Sequence, residues 1–334
     1  MADRVLVTGG DGFLGSNIVR ELLDQEYLVR VFAEPGRDSI TLSGLQIERS
    51  AGDIRRLSDL EAASAGCDYI IHAAASTSLW PTRSGVLKEI NVDGTRNVIQ
   101  SALAANVKKM VYVGSANTFG FGPIDRPGDE SSPYMSGKYG LDYMDTKHEA
   151  QGLVIDAVKR DGLSATVVAP TFMFGPYDAK PGSGLVIIAI AGGRVPGYSP
   201  GGRCYIHVRD AARGAVNALV DGAVGESYIL GNENLTYKEL FRKIATVCGV
   251  SPPKIPFPSS VTKTVGFFGS LYGNIFGVEP RISLPLSRLV SEESYYTPEK
   301  AVRELSLPQT PIITAIEDAL RWLNDNRYMD GTSK

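Results

Sequence analysis

Short apolar runs alternate with stretches of helical spacing through the first half of this chain. Residues 5–7 predict a buried strand, and Asn17-Ile18-Val19-Arg20-Glu21-Leu22-Leu23 has the three-to-four spacing of an amphipathic helix. Residues 27–33 read as a second strand, 47–51 as a weaker third, and 67–75 as a fourth that runs into small residues. Helical periodicity marks 57–65 and 86–106, while 109–115 and 164–169 read as the fifth and sixth strands. Strands alternating with helices of this length predict βαβ units and an α/β, doubly wound parallel sheet. Right-handed crossovers then bring the strands' carboxyl ends to one edge, where ligands bind.

Beyond Pro170 the texture changes. Gly175-Pro176, Pro181-Gly182, Pro196-Gly197 and Pro200-Gly201-Gly202 break the rhythm, which predicts a smaller C-terminal lobe of long loops. Residues 205–210 and the helical 211–220 are expected to return to the sheet. The chain therefore divides into a dinucleotide-binding domain over 1–169, rejoined by 205–230, and a substrate-binding lobe over 170–204 and 231–330. Helices are predicted over 236–248 and 312–324, the second placing Ile316, Leu320 and Leu323 on one face. Residues 261–278 are apolar with glycines at 266, 269, 273 and 277 and one lysine, Lys263. They are short for a membrane span and read as a buried or lid helix. The alternative is an apolar substrate entrance that touches a membrane surface.

Composition narrows the class. The net charge of −3 comes without a basic block, so no footprint for nucleic acid is present. Three scattered cysteines argue against a disulfide framework, and the three histidines have no metal-ligand spacing, so no metal is expected. No secretory leader is legible ahead of the first strand, and cytoplasm is the expected compartment.

Between the first strand and the first helix stands Thr8-Gly9-Gly10-Asp11-Gly12-Phe13-Leu14-Gly15. Glycines at 9, 12 and 15 let the turn close, let backbone approach a pyrophosphate, and let helix and strand pack; the helix N-terminus then faces the phosphates. An ordinary tight turn is the plainer alternative. Two Tyr-x-x-x-Lys pairs follow, Tyr134 with Lys138 and Tyr143 with Lys147. Proline and glycines around the first read as loop, whereas the second opens a helical run that puts both side chains on one face. A phenol is a poor base at neutral pH, and an ammonium one turn away lowers its pKa. Tyr143 then exchanges a proton with a hydroxyl or carbonyl oxygen that Ser115, at the end of the fifth strand, orients.

The glycine turn, Gly52-Asp53-Ile54, His72-Ala73-Ala74-Ala75, Asn91-Val92-Asp93-Gly94-Thr95, Ser115 and Tyr143-x-x-x-Lys147 together resemble an extended short-chain dehydrogenase/reductase, with a Rossmann sheet. Val29-Arg30-Val31, Leu79-Trp80, Tyr228-Ile229-Leu230-Gly231 and Glu279-Pro280-Arg281 are similar to its dihydroflavonol-reductase-like branch. The resemblance implies that Gly9, Gly12, Phe13, Leu14 and Gly15 meet the pyrophosphate, Asp53 and Ile54 flank the adenine, and Ala73 and Ala74 line the cofactor's path. It places Lys147 on the nicotinamide ribose and the backbone after Pro170 on the carboxamide. Asp53 has a plainer reading as a turn former. Glu34 stands where that branch carries an arginine, which favours NAD; Arg37 keeps NADP open. Ala169 and Arg209 also depart from the family pattern and weaken the case for a nucleotide-sugar pocket, although Arg203 and Arg281 remain available to a diphosphate.

These readings converge on an NAD(P)-dependent oxidoreductase acting at a secondary alcohol or ketone, with Ser115, Tyr143 and Lys147 as the site. Trp80, Phe119, Phe172, Tyr177 and Arg203 are candidates for the substrate pocket, core packing being the alternative for the phenylalanines. An NAD-retaining nucleotide-sugar epimerase is the alternative function, and a non-catalytic dinucleotide-sensing protein the remote one. The partner is a small molecule, with no nucleic acid and no transmembrane span. The resemblance also implies a homodimer paired through 143–159 and 86–106.

Overall fold

The computed structural model describes residues 2–36 and 40–330. Arg37, one of the two residues bearing on the cofactor's identity, lies outside them. Thirteen strands occur among the described residues: β1 (Arg4–Thr8), β2 (Leu28–Ala33), β3 (Glu48–Ala51), β4 (Tyr69–His72), β5 (Lys109–Val113), β6 (Ala165–Pro170), β7 (Phe172–Phe174), β8 (Gly197–Tyr198), β9 (Gly202–His207), β10 (Ser227–Leu230), β11 (Glu233–Thr236), β12 (Ile255–Pro256) and β13 (Glu293–Ser294). The helices are α1 (Phe13–Asp24), α2 (Leu57–Ser64), α3 (Gly85–Lys88), α4 (Gly94–Ala104), α5 (Asp142–Asp161), α6 (Gly184–Ala191), α7 (Val208–Asn217), α8 (Tyr237–Cys248), α9 (Ser259–Phe276), α10 (Leu284–Leu289), α11 (Glu299–Leu305) and α12 (Ile312–Asp325).

Seven strands form one parallel sheet in the order β10-β6-β5-β4-β1-β2-β3. Val5, Leu6 and Val7 are fully buried because helices cover both faces, which is why the strand reads as an unbroken apolar run. One face packs Ile18, Val19 and Leu22 of α1 with Ala211, Ala215 and Val216 of α7. The other packs Leu60 of α2, Val98 and Ala102 of α4, and Ala150 and Val154 of α5. Strand order reverses between β1 and β4, and the crevice at that reversal is where a doubly wound sheet receives its ligand.

Two expectations need correction. Residues 205–210 do not rejoin the large sheet as a strand: β9 runs antiparallel to β11 and parallel to β7 and β13 in a second sheet. The chain returns instead through α7 and β10. Nor is the region after Pro170 mainly loop, since Phe174, Ile187, Tyr205, Leu240, Ile244, Ile316 and Leu323 close a core of their own. Its strands are two to six residues long, too short between prolines and glycines to print a periodicity. Residues 261–278 are a helix as predicted, but only Gly266 and Gly273 of α9 are buried, so it is not a buried one.

His72, at the end of β4, ties the central strands to the flanking helix. Its Nδ1 lies 2.8 Å from the Thr8 hydroxyl and its Nε2 3.0 Å from that of Thr95. Burial, with the Lys147 charge adding to it, lowers its pKa to about 3. Below the ordinary histidine range the unfolded chain takes a proton that the folded one refuses, so stability falls as pH drops from about 6.5 toward about 3. In urea titrations over that window, His72→Gln is expected to lose about 1.4 kcal/mol per pH unit of this slope, the share of one proton. An unchanged slope would remove His72 as its source.

Candidate active site

The β1–α1 turn is shaped by the absence of side chains. Gly9 has φ +69°, and a Cβ there would stand 2.6 Å from the Ala74 backbone; a Cβ at Gly15 would fall on the Gly9 carbonyl oxygen. Gly12 caps α1 without a side-chain hydrogen bond, and no acidic residue stands in the first turn. The N–H groups that open α1, those of Phe13, Leu14 and Gly15, therefore face outward with the positive end of the helix dipole. Ala73 and Ala74 form the opposite wall, held by Ala73 N–H donating to the Thr8 carbonyl and Ala74 N–H to the Thr8 hydroxyl. A narrow backbone-lined groove ending on free amides fits a dinucleotide pyrophosphate.

Along the crevice the remaining cofactor candidates vary. Asp53 is gripped by Arg55, whose Nη2 donates at 2.7 Å and backbone N–H at 2.9 Å. The Ile54 carbonyl accepts from Asn97 at 3.1 Å. Pro170 closes β6, from which the chain passes into β7. Glu34 follows β2 and lines a cavity of about 140 Å³ with Leu42, Ser50 and Arg49. Arg49 was not visible from the sequence as a neighbour of Glu34; β3 pairs it with Val31 across the sheet.

Ser115, Tyr143 and Lys147 converge beyond the end of β5. Ser115 is buried, and its hydroxyl accepts from Asn117 N–H at 3.3 Å. Burial raises the Tyr143 phenol, while the Ser115 hydroxyl and the Arg203 charge pull it down. Lys147 is buried with its Nζ donating to the Val113 carbonyl at 2.6 Å and standing 4.7 Å from the centre of the Tyr112 ring. Burial lowers its own pKa to about 7.

The helix carrying these residues is fixed by partners that leave no local sequence signal. Arg83 bridges Asp142 at 2.6 Å and Asp145 at 3.1 Å, one on each side of Tyr143. Asn91, in a π-helical turn (Glu89–Asp93), donates to Thr146 at 3.0 Å and to the Ser76 carbonyl at 3.0 Å. The other tyrosine–lysine pair is drawn elsewhere: Tyr134 stacks on His148 and donates to Asp145 at 2.6 Å, and Lys138 pairs with Glu292 at 2.8 Å.

The pocket candidates separate. Arg203 donates to the Tyr237 hydroxyl at 2.9 Å and stands 5.6 Å from the Phe172 ring centre, and its charge acts on the Tyr143 phenol. Trp80 packs where Gly273 of α9 leaves room. Phe119 is buried among Ala169, Cys204, Ile229 and Tyr296, a packing residue. Tyr177 lies 3.5 Å under the Arg20 guanidinium and beside Trp322, in the seam between α1 and α12. Arg281 is exposed. Phe121 and Leu286, absent from the sequence-based candidates, pack with Tyr143 against one small core of Tyr139, Leu141, Met144 and Leu289.

Comparison with known proteins places these features together. The profile of the NAD dependent epimerase/dehydratase family matches residues 5–231. A putative dihydroflavonol 4-reductase from Synechocystis is 32% identical over 98% of this chain and 97% of that protein. Sterol demethylase protein B from Methylococcus capsulatus is 29% identical over 96% and 98%. Among solved structures, gox2253 superposes with a TM-score of 0.87 at 32% identity, covering 98% of this chain and all of that one.

Gly15→Ala is expected to weaken dinucleotide binding at least about tenfold, roughly 1.4 kcal/mol, because the new methyl group displaces the Gly9 carbonyl from the cradle. Fluorescence titration with reduced nicotinamide cofactors checks this, with a thermal melt as the control for folding. Undiminished affinity in a folded variant would mean that the pyrophosphate binds elsewhere.

Proposed function

Because the chain belongs to the NAD dependent epimerase/dehydratase family, we propose that this enzyme is an NAD(P)-dependent oxidoreductase that interconverts a secondary alcohol and a ketone on an apolar substrate. The observation that carries the reading is the buried Tyr143 phenol set against the Ser115 hydroxyl beyond β5, with Lys147 one turn along the same helix held on the Val113 carbonyl. In the oxidative direction Tyr143, as phenolate, takes the hydroxyl proton, and Ser115 holds the oxygen as it becomes a carbonyl. Nicotinamide, when bound, accepts the hydride that leaves the same carbon. In reduction Tyr143 returns the proton. Lys147, fixed by the Val113 carbonyl, is assigned to the nicotinamide ribose. Trp80, Phe121, Phe172 and Leu286 supply apolar walls, which suits a polycyclic or isoprenoid substrate better than a sugar. The names of the reductase and sterol relatives support the same class.

A second reading rests on Arg203, a guanidinium beside Tyr143 that suits a diphosphate. It makes the protein a nucleotide-sugar epimerase, in which hydride leaves the sugar and returns to its other face. Absorbance of reduced nicotinamide over two substrate panels separates the two: net change with apolar alcohols or ketones supports the first, and isomerised sugar without net change the second. With the substrate so found, Tyr143→Phe is expected to lower kcat about 10²–10⁴-fold and leave cofactor affinity within about twofold, since the phenol acts on the substrate oxygen. Undiminished turnover would remove Tyr143 from the chemistry.

NAD is the proposed cofactor, through a carboxylate at Glu34 that accepts from ribose hydroxyls and repels a 2′-phosphate. Arg49 lines the same cavity, so Glu34→Ala leaves a cation facing that position. The ratio of kcat/KM for NADP to that for NAD is expected to rise at least about tenfold in this variant. A constant ratio would assign the choice to other residues.

A further inference from the structure

Helix α9 has two unlike sides. Its inner side is glycine: a Cβ at Gly273 would stand 2.8 Å from Trp80, and one at Gly266 would stand 2.8 Å from the Ser283 carbonyl that leads into α10. The Ser270 hydroxyl accepts from Leu284 N–H at 2.8 Å. Beneath it, Leu286 and Leu289 of α10 pack in the cluster that contains Tyr143. Thus α9 is the outer of two helical layers over the tyrosine.

The outer side is apolar over about half the circumference at 3.6 residues per turn. Val261, Val265, Phe267, Phe268, Leu271, Tyr272, Ile275 and Phe276 fill it, from 44% exposed at Val261 to 65% at Ile275. A surface helix of a soluble protein carries charge there, and a contiguous apolar patch of this kind marks an interaction site. The only charged residues in 244–278 are Lys254 and Lys263, and no Asp or Glu occurs in that stretch. Lys263 lies at the border between the two sides, where a long stem reaches past apolar surface to an anionic group.

We propose that α9 docks this enzyme on an anionic lipid surface, lying in the plane of the interface with its outer half among the acyl chains. No helix among the described residues is long and apolar enough to cross a membrane, so the helix rests on the bilayer. A second copy packed on the same face would set Lys263 of α9 against its own repeat, with no carboxylate on the helix to answer it; lipid phosphates do answer it. The use of such docking, drawing an apolar substrate from the bilayer toward Tyr143, rests on the reading proposed above. The docking itself does not.

Co-sedimentation of the full chain tests it, using phosphatidylcholine vesicles with about 30% phosphatidylglycerol and vesicles of phosphatidylcholine alone. The chain is expected to pellet with the anionic vesicles and to bind neutral ones several-fold less. The triple variant Phe268→Ser, Ile275→Ser, Phe276→Ser is expected to bind at least about tenfold more weakly. Lys254→Gln with Lys263→Gln is expected to lose roughly fivefold or more. All five side chains are exposed, and an unchanged melt and cofactor titration certify the fold. A wild-type chain left in the supernatant, a serine variant that binds as tightly, or equal binding to neutral vesicles would overturn the proposal. So would light scattering that finds a wild-type dimer and a monomeric serine variant, which would give the face to a second copy. Vesicle binding is read without turnover, so a failure of the proposed chemistry leaves this result standing on its own.

Discussion

The rest of the structure depends on how closely the chain approaches itself at the β1–α1 turn. The Gly9 carbonyl stands where a Cβ of residue 15 would be, and the Ala74 backbone where a Cβ of residue 9 would be. Strand, helix and the following β4 crossover therefore meet at backbone contact distance. That contact fixes where α1 begins and leaves its first N–H groups facing the crevice. It also brings β4 beside β1, and with it the His72 bridge to Thr8 and Thr95. Everything on the far side of the crevice, Ser115 and α5 included, takes its distance from this one close approach.

A second constraint acts on chemistry. The side chains beyond β5 share a poorly solvated space, and burial pushes their protonation away from ordinary values in opposite senses. It lowers Lys147 and raises Tyr143, so neither reaches a charged form cheaply without a neighbour. Arg203 stays charged under those conditions because a guanidinium does not deprotonate in proteins. Its fixed positive charge acts on a reluctant phenol, and Tyr237 holds the guanidinium in place.

Legibility in the sequence followed the range of the interaction. The glycine turn, the parallel strands and the helical placing of Tyr143 with Lys147 were readable because each rests on spacing within one turn or one strand. Glu34 was readable as a carboxylate, but Arg49 beside it was not, because β2–β3 register joins residues that no local pattern links. Arg83 and Asn91 likewise clamp α5 from 59 and 55 residues away. Phe119 packs in a core, the plainer reading its sequence also offered, and Tyr177 lies in the seam between α1 and α12; an aromatic side chain carries no mark of whether its neighbours are core or ligand. Residues after Pro170 hid a second sheet, since strands of two to six residues are too short for alternation to register.

The seam between α1 and α12 carries a consequence for exchanging parts between relatives. Asn17 of α1 donates to the Pro176 carbonyl at 3.2 Å, and Arg20 of the same helix covers the ring of Tyr177. Helix α1 is therefore bolted to the first loop after β7. A chimera joined at Pro170, the junction that the change in sequence texture suggests, would cut across this fastening and pair one parent's Arg20 with another parent's loop. The part that could be exchanged as a unit therefore includes one face of α1.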